Sequence, residues 1–233
     1  ENLVHHAARP GADAEREAVA SKLAGELTPD ATLETKREVA HLVGFVGADA
    51  EVPAVAALLR DADAHVREAA RQALERIPGD AATRALMDAA RTQPNDRKPD
   101  LIISVGRKDD RSVVPALLEW AREHRGSIRM ASLKALAQLG APEAAELFTK
   151  LLEDPDLPER GAVGTELLRL ADEMAARDEL DEAAEVYRVL VRKAPFDYQR
   201  ERALYQLTKG VADVEALCDA YGVWQEREKN GEK

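Results

Sequence analysis

Hydrophobic residues recur along this chain with the spacing of a helix face, and the helix patterns themselves repeat. A basic residue occurs at Lys36, Arg67, Arg129 and Arg160, which are separated by 31 positions or a multiple of 31. Aliphatic residues follow each of these positions at offsets of 7 and 10, and a small or β-branched residue follows at an offset of 3. These offsets describe one face of an α-helix. The pattern therefore predicts an array of helical repeats.

A second amphipathic segment precedes each of these helices, so the predicted unit is a pair of helices. A period near 31 with two helices is typical of a stacked α-solenoid. The first helices are predicted over residues 14–27, 49–60, 80–92, 112–124 and 142–153, and the second helices over residues 30–46, 63–77, 96–105, 126–139 and 158–176. The third pair is irregular, because Pro94 and Pro99 shorten its second helix. The irregularity would bend the array or open a notch, or it is a tolerated loop variation.

The segment DADAHVREAARQALERIPG, residues 61–79, resembles a HEAT repeat of the bacterial, phycobilisome-lyase-like subtype. Weaker copies are GSIRMASLKALAQLG and PDLPERGAVGTELLRLAD, and the resemblance extends over roughly residues 12–177. It implies an all-α solenoid of about five helix pairs, in which an Asp and the Arg four residues later tie adjacent repeats together. The structural ladder expected here consists of Lys36, Asp63, Arg67, Arg129, Asp156 and Arg160.

The pattern changes beyond residue 177. The segment DEAAEVYRVLVRKAP carries Ala183, Tyr187, Val191 and Pro195 at steps of four, and it resembles the first helix of a tetratricopeptide repeat (TPR). Further helices over residues 200–207 and 211–221 would complete a C-terminal cap. The predicted organisation is a remnant of a preceding helix (1–11), HEAT-like repeats (12–177), TPR-like helices (178–222) and a charged, disordered tail (223–233).

Composition narrows the function classes. The chain has 233 residues, of which 45% are hydrophobic, and a formal net charge of −11. This acidity disfavours nucleic-acid binding, because nonspecific affinity for phosphates comes from clustered cations. No apolar run reaches the length of a transmembrane helix, and the one cysteine, Cys218, is expected to be a buried, inert thiol. We expect a soluble protein, with the cytoplasm slightly favoured; export stays open because the sequence starts without methionine.

No residue pattern indicates catalysis or a bound cofactor. The adjacent His5 and His6 would point about 100° apart on a helix, which suits a metal ion poorly. HEAT-fold iron hydroxylases carry His-Glu dipeptides, and this sequence contains none. Trp120 is predicted to pack between repeats, whereas Trp224 either folds back on the cap or anchors a partner. We therefore predict no metal, cofactor or catalytic residue.

The favoured function is a noncatalytic protein–protein interaction scaffold within a larger polypeptide or complex. In HEAT arrays the second helices line the concave side, and their outward residues are available to a protein partner. The candidate partner surface consists of Glu68, Arg71, Gln72, Glu75, Lys134 and Gln138. Its mixed charges suit a polar protein surface, and plain solvation is the alternative. The resemblance leaves a bilin lyase or lyase-like subunit open, and a nucleic-acid-binding HEAT protein is a weaker alternative.

Overall fold

The computed structural model describes residues 2–209 and Gly222, and the chain divides into two compact units after Asp110. The regular structure of these residues is entirely helical. The first unit contains α1 (Asn2–Ala7), α2 (Asp13–Gly25), α3 (Leu33–Val46), α4 (Val52–Ala57), α5 (Ala64–Arg76), α6 (Asp80–Thr92) and α7 (Lys98–Gly106). The second unit contains α8 (Val114–Glu123), α9 (Gly126–Gln138), α10 (Ala145–Glu153), α11 (Arg160–Ala176), α12 (Leu180–Lys193) and α13 (Asp197–Lys209).

Aliphatic residues that define the repeat form the core of each unit. Burial of apolar surface is the main favourable contribution to folding, at roughly 25 cal/mol per Å². The residues at offsets of 7 and 10 are each at most 1% exposed: Val43, Val46, Leu74, Ile77, Leu136, Leu139, Leu167 and Leu170. The predicted all-α fold of helix pairs is therefore confirmed in both units.

Successive second helices pack side by side within each unit. In the first unit α3 packs against α5 and α5 against α7, while the first helices α4 and α6 pack against each other. In the second unit α9, α11 and α13 pack in succession, and α10 contacts α12. This layering brings outward side chains of α3, α5 and α7 together.

Prolines mark the starts of three helices. Pro53, Pro99 and Pro115 lie in the first turns of α4, α7 and α8, where a missing N–H group costs little. The helix α7 is only 9 residues long, in agreement with the predicted shortening of the third pair. The helix α4 begins at Val52 rather than at residue 49, because Pro53 fixes its first turn and a 3-10 turn, Leu58–Arg60, supplies the rest of the predicted segment.

The helices α3 and α5 approach each other closely at one glycine. A Cβ atom at Gly44 would lie 3.0 Å from Cα and 3.4 Å from Cβ of Ala73. Contacts at these distances are tighter than ordinary van der Waals packing. The two small residues therefore set the separation of the two helices.

One carboxylate joins the helices α11, α12 and α13. Asp172 on α11 accepts hydrogen bonds from the hydroxyl of Tyr187 on α12 at 2.6 Å and from Nε2 of Gln206 on α13 at 2.7 Å. Burial and the nearby Asp172 raise the pKa of Tyr187, so this hydroxyl stays protonated.

The TPR-like character of α12 and α13 stays a prediction. The predicted helix 211–221, the tail, Cys218 and Trp224 lie outside the described residues.

Candidate partner-binding surface

Four of the six residues predicted to form a partner surface lie on α5 and bind one another. Nε of Arg71 donates a hydrogen bond to Oε2 of Glu68 at 2.8 Å, and Nη1 of Arg71 donates to Oε2 of Glu75 at 3.0 Å. Nε2 of Gln72 donates to Oε1 of Glu68 at 2.7 Å. These contacts follow from the i,i+3 and i,i+4 spacing on a helix. The four side chains are therefore held in place before any partner arrives.

The helix α7 completes this network. The hydroxyl of Ser104 donates to Oε2 of Glu75 at 2.9 Å and accepts a hydrogen bond from Arg71. Nη1 of Arg107 donates to Oε1 of Glu75 at 2.7 Å. Ser104 is fully buried, and its hydroxyl is satisfied inside the protein as buried polar groups require. No sequence pattern indicates Ser104 or Arg107, because each lies about one repeat away from its partner on α5.

Charges within the network balance. The side chain of Arg71 is only 13% exposed and lies between Glu68 and Glu75. Its hydrogen bond lowers the pKa of Glu68, and the contact with Glu68 raises the pKa of Arg71. Two arginines and two glutamates leave the network with no net charge. An approaching molecule would meet mainly Glu68 and Arg107, whose side chains are each 45% exposed.

The C-terminal end of α3 carries an exposed aromatic ring that faces Arg76 of α5. Phe45 is 52% exposed, and the guanidinium carbon of Arg76 lies 4.9 Å from the centroid of its ring. His41, one helical turn earlier on α3, meets the ring edge-on with centroids 5.0 Å apart. A cation–π contact at an exposed site contributes about 0.5–1 kcal/mol. We refer to His41, Phe45 and Arg76 as the Phe45 patch.

The other two predicted surface residues lie in the second unit. Lys134 and Gln138 are one turn apart on α9, and both are half-buried. Their contribution to a partner surface stays a prediction.

Lys36 is a predicted ladder residue that does connect successive helix pairs. Its Nζ donates to Oδ2 of Asp61, in the turn before α5, at 3.0 Å, and the two side chains are 12% and 13% exposed. A backbone hydrogen bond from Asp63 and the side-chain hydrogen bond from Lys36 lower the pKa of Asp61. Such a partly buried, charge-assisted contact contributes more than an exposed ion pair.

The arginines at the corresponding positions bind the end of the first helix in their own pair. Nε of Arg129 donates to the carbonyl oxygens of Ala121 and His124 at 3.2 and 2.9 Å, at the end of α8. Nε of Arg160 donates in the same way to the carbonyl oxygen of Leu152, in α10, at 2.7 Å. The last carbonyl groups of a helix lack intrahelical partners and carry partial negative charge. These arginines therefore act as C-terminal caps within their own pair.

Arg67 also binds carbonyl groups in the turn between the two helices of its own pair. Its Nη1 donates to the carbonyl oxygens of Asp61 and Ala62 at 2.8 and 2.7 Å, just beyond the end of the first helix. Arg160 also reaches the next pair, since its Nη2 donates to the carbonyl oxygen of Lys193 on α12 at 3.3 Å. The basic residue at this repeat position can therefore bind both its own helix pair and the next pair, as Arg160 does.

The two predicted ladder aspartates have local roles. Oδ1 of Asp63 accepts the backbone N–H groups of residues 65 and 66 at 2.9 and 3.0 Å, so Asp63 is the N-cap of α5. Asp156 is exposed, and its backbone N–H donates to Oδ1 of Asp154 at 3.0 Å. The N–H of Asp63 donates to Oδ1 of Asp61 in the same way, at 2.9 Å. Asp61 and Asp154 are 93 positions apart, or three periods of 31, and this spacing was the signal available in the sequence.

Within residues 2–209 no three His, Cys, Asp or Glu side chains come together as metal ligands, and His5 and His6 are both exposed on α1. Every helix in these residues is too short or too polar to cross a lipid bilayer.

Residues 100–169 match the family model for HEAT repeats. This segment runs from α7 into α11 and includes Arg129 and Arg160. The resemblance to HEAT repeats is thereby confirmed for this part of the chain.

Two solved structures show a distant similarity to this chain. The complex of CpcE and CpcF of phycocyanin lyase from Nostoc sp. is 21% identical, with 82% of each chain covered and a TM-score of 0.40. An engineered protein is 18% identical over 82% of this chain and 97% of its own, with a TM-score of 0.42. At these scores the similarities do not establish a shared activity. No curated protein matches this chain in sequence.

Proposed function

We propose that this protein is a noncatalytic interaction scaffold that binds a protein partner through the second helices of its first unit. The observation that carries the proposal is the surface formed by α3, α5 and α7. It combines a preordered, charge-balanced network with an exposed aromatic ring. Side chains that are already ordered lose little conformational entropy when a partner binds.

The polar residues of this surface suit recognition better than chemistry. Arg71 and Glu75 bind each other and the buried hydroxyl of Ser104, so their polar atoms are committed to protein contacts. Glu68 and Arg107 present one carboxylate and one guanidinium to solvent, which suits a polar protein surface with modest electrostatic steering. The bilin lyase and nucleic-acid alternatives stay predictions from resemblance, and no contact described above favours either.

A paired truncation would test this surface. The double variant Glu68→Ala and Arg107→Ala removes one charge of each sign and keeps the contacts of Arg71 and Ser104 with Glu75. Proteins captured by the full chain from a lysate of the source organism would be identified by mass spectrometry and then purified for calorimetry. We expect the double variant to weaken binding roughly tenfold, because exposed charged pairs at an interface contribute at this level.

The matched control is Arg84→Ala with Asp88→Ala on α6. Both residues are exposed and lie in the first-helix layer, and the pair likewise removes one charge of each sign. We expect its affinity to stay within about twofold of the wild type. Equal weakening by both double variants, or partner protection of α6 rather than α5 and α7 in hydrogen exchange, would rule out the proposed surface.

A further inference from the structure

Phe45 is an aromatic side chain that lies outside the hydrophobic core of the first unit. Its neighbours on either side, Gly44 and Val46, are buried against the rest of the first unit, and Val46 is 1% exposed. Phe45 itself remains 52% exposed near the end of α3. Phe196, Tyr198 and Tyr205 are exposed to a similar degree, but Phe45 is the ring that, within residues 2–209, contacts both a guanidinium group and an imidazole ring. An aromatic side chain with one free face is a common anchor point at protein interfaces.

The polar neighbours hold this ring in one orientation. The guanidinium carbon of Arg76 lies 4.9 Å from the ring centroid, and the ring of His41 meets it at an interplanar angle of 80°. Nη1 of Arg76 and Nδ1 of His41 are 3.4 Å apart. The ring and the guanidinium group thus form a single preorganised site with one apolar part and one cationic part.

The cation of this site lacks a carboxylate partner in the described part of the chain. Arg71 is neutralised by Glu68 and Glu75, whereas residues 2–209 place no carboxylate oxygen within 4.0 Å of the guanidinium group of Arg76. The planar guanidinium group binds carboxylates in a bidentate manner. On a chain with a net charge of −11, an unneutralised arginine next to an exposed aromatic ring selects for an acidic ligand.

We propose that the Phe45 patch binds a peptide segment of a partner protein in which a large apolar side chain lies next to a carboxylate. The apolar side chain packs on the exposed face of Phe45, and the carboxylate binds Arg76. The site therefore takes an acidic residue with an apolar neighbour. This inference rests on the proposed scaffold function and specifies the partner's chemistry.

Selection from a random peptide library displayed on phage would test the inference with the full chain as bait. We expect the selected peptides to be enriched in Asp or Glu within about two positions of Phe, Trp, Tyr or Leu, because the two parts of the patch are adjacent. A selected peptide would then be synthesised with its carboxylate and with the corresponding amide. In fluorescence polarisation, Phe45→Ala and Arg76→Gln should each weaken the acidic peptide roughly tenfold. The amide peptide should lose no further affinity on Arg76→Gln.

Tyr205→Ala is the matched control, because Tyr205 is 54% exposed but lies on α13 of the second unit. It should change the affinity by less than about twofold. Selection of basic or uncharged peptides would overturn the inferred chemistry. Acidic peptides that bind Phe45→Ala as tightly as the wild type would overturn the inferred location, while the scaffold proposal would stand on its own test. Failure of the wild-type chain to select any peptide would overturn this inference alone, because the scaffold proposal is tested separately by partner capture and by the Glu68 and Arg107 variants.

Discussion

Replacing Arg129 with Met would test whether the recurring basic residue holds the end of a first helix. Arg129 is 8% exposed, and its Nε donates to the carbonyl oxygens of Ala121 and His124. Methionine keeps much of the aliphatic stem but has no donor, so the packing changes less than the hydrogen bonding. The substitution therefore removes mainly the cap of α8.

The expected loss can be worked out from the burial of the two carbonyl groups. The carbonyl of Ala121 is buried, and a buried acceptor without a donor costs about 1–3 kcal/mol. The carbonyl of His124 is partly buried and can be rehydrated, so it adds at most about 1 kcal/mol. Removal of a cation from a helix C-terminus adds about 0.3–1 kcal/mol. We expect a total loss of about 1–5 kcal/mol, and a fall in Tm of roughly 2–20 °C for a chain of this size.

The assay is urea and thermal unfolding followed by far-ultraviolet circular dichroism at neutral pH. Arg122→Met is the control, because Arg122 lies on the same helix, carries the same charge and is exposed. It should lower the free energy of unfolding by no more than about 1 kcal/mol, because it removes the same charge from the last turn of the same helix. If the two variants lost equal stability, the hydrogen bonds of Arg129 would contribute nothing beyond its charge, and the capping role would be refuted.

Two further predictions concern the first unit. Because the folded state lowers the pKa of Asp61, its contact with Lys36 stabilises the fold above the ordinary carboxyl value of 3.8, and this contribution is lost as the pH falls through the lower folded value. Urea unfolding between about pH 5 and pH 2 should therefore depend less steeply on pH in Lys36→Met than in the wild type, and equal slopes would contradict this account. Gly44→Ala should be less stable than Gly25→Ala by about 1–3 kcal/mol, because the new Cβ would meet Ala73 at 3.0 Å, whereas nothing lies within 4 Å at Gly25. Similar free energies of unfolding for the two alanine variants would show that α3 and α5 separate without cost.

Periodic features of the fold could be predicted from the sequence. The offsets of 3, 7 and 10 identify buried positions directly, because a helix face repeats at that spacing whatever it packs against. The short α7 followed from Pro99, since proline fixes the start of a helix through its own backbone. Both inferences depend on local geometry, which the sequence specifies.

Partners of individual polar atoms could not be predicted in the same way. Arg67 and Arg129 occupy the positions that resembled a ladder, yet their side chains turn to carbonyl groups of their own pair, because backbone acceptors at a helix end are closer than the next repeat. Ser104 joined the candidate surface through a contact with Glu75, 29 residues earlier, that no local pattern encodes. Phe45 was missed because a single aromatic residue in an aliphatic helix gives the same hydrophobic signal whether it faces the core or solvent.

The self-contained arginine cap has a consequence for how such proteins change over generations. Arg129 binds carbonyl groups encoded only 5 and 8 residues before it, so a gene segment that encodes one helix pair also encodes the bond that closes its turn. Duplication or deletion of that segment would add or remove a helix pair together with the hydrogen bonds that close its turn. Repeat number could then drift between lineages, and selection would act on the few side chains at each new junction.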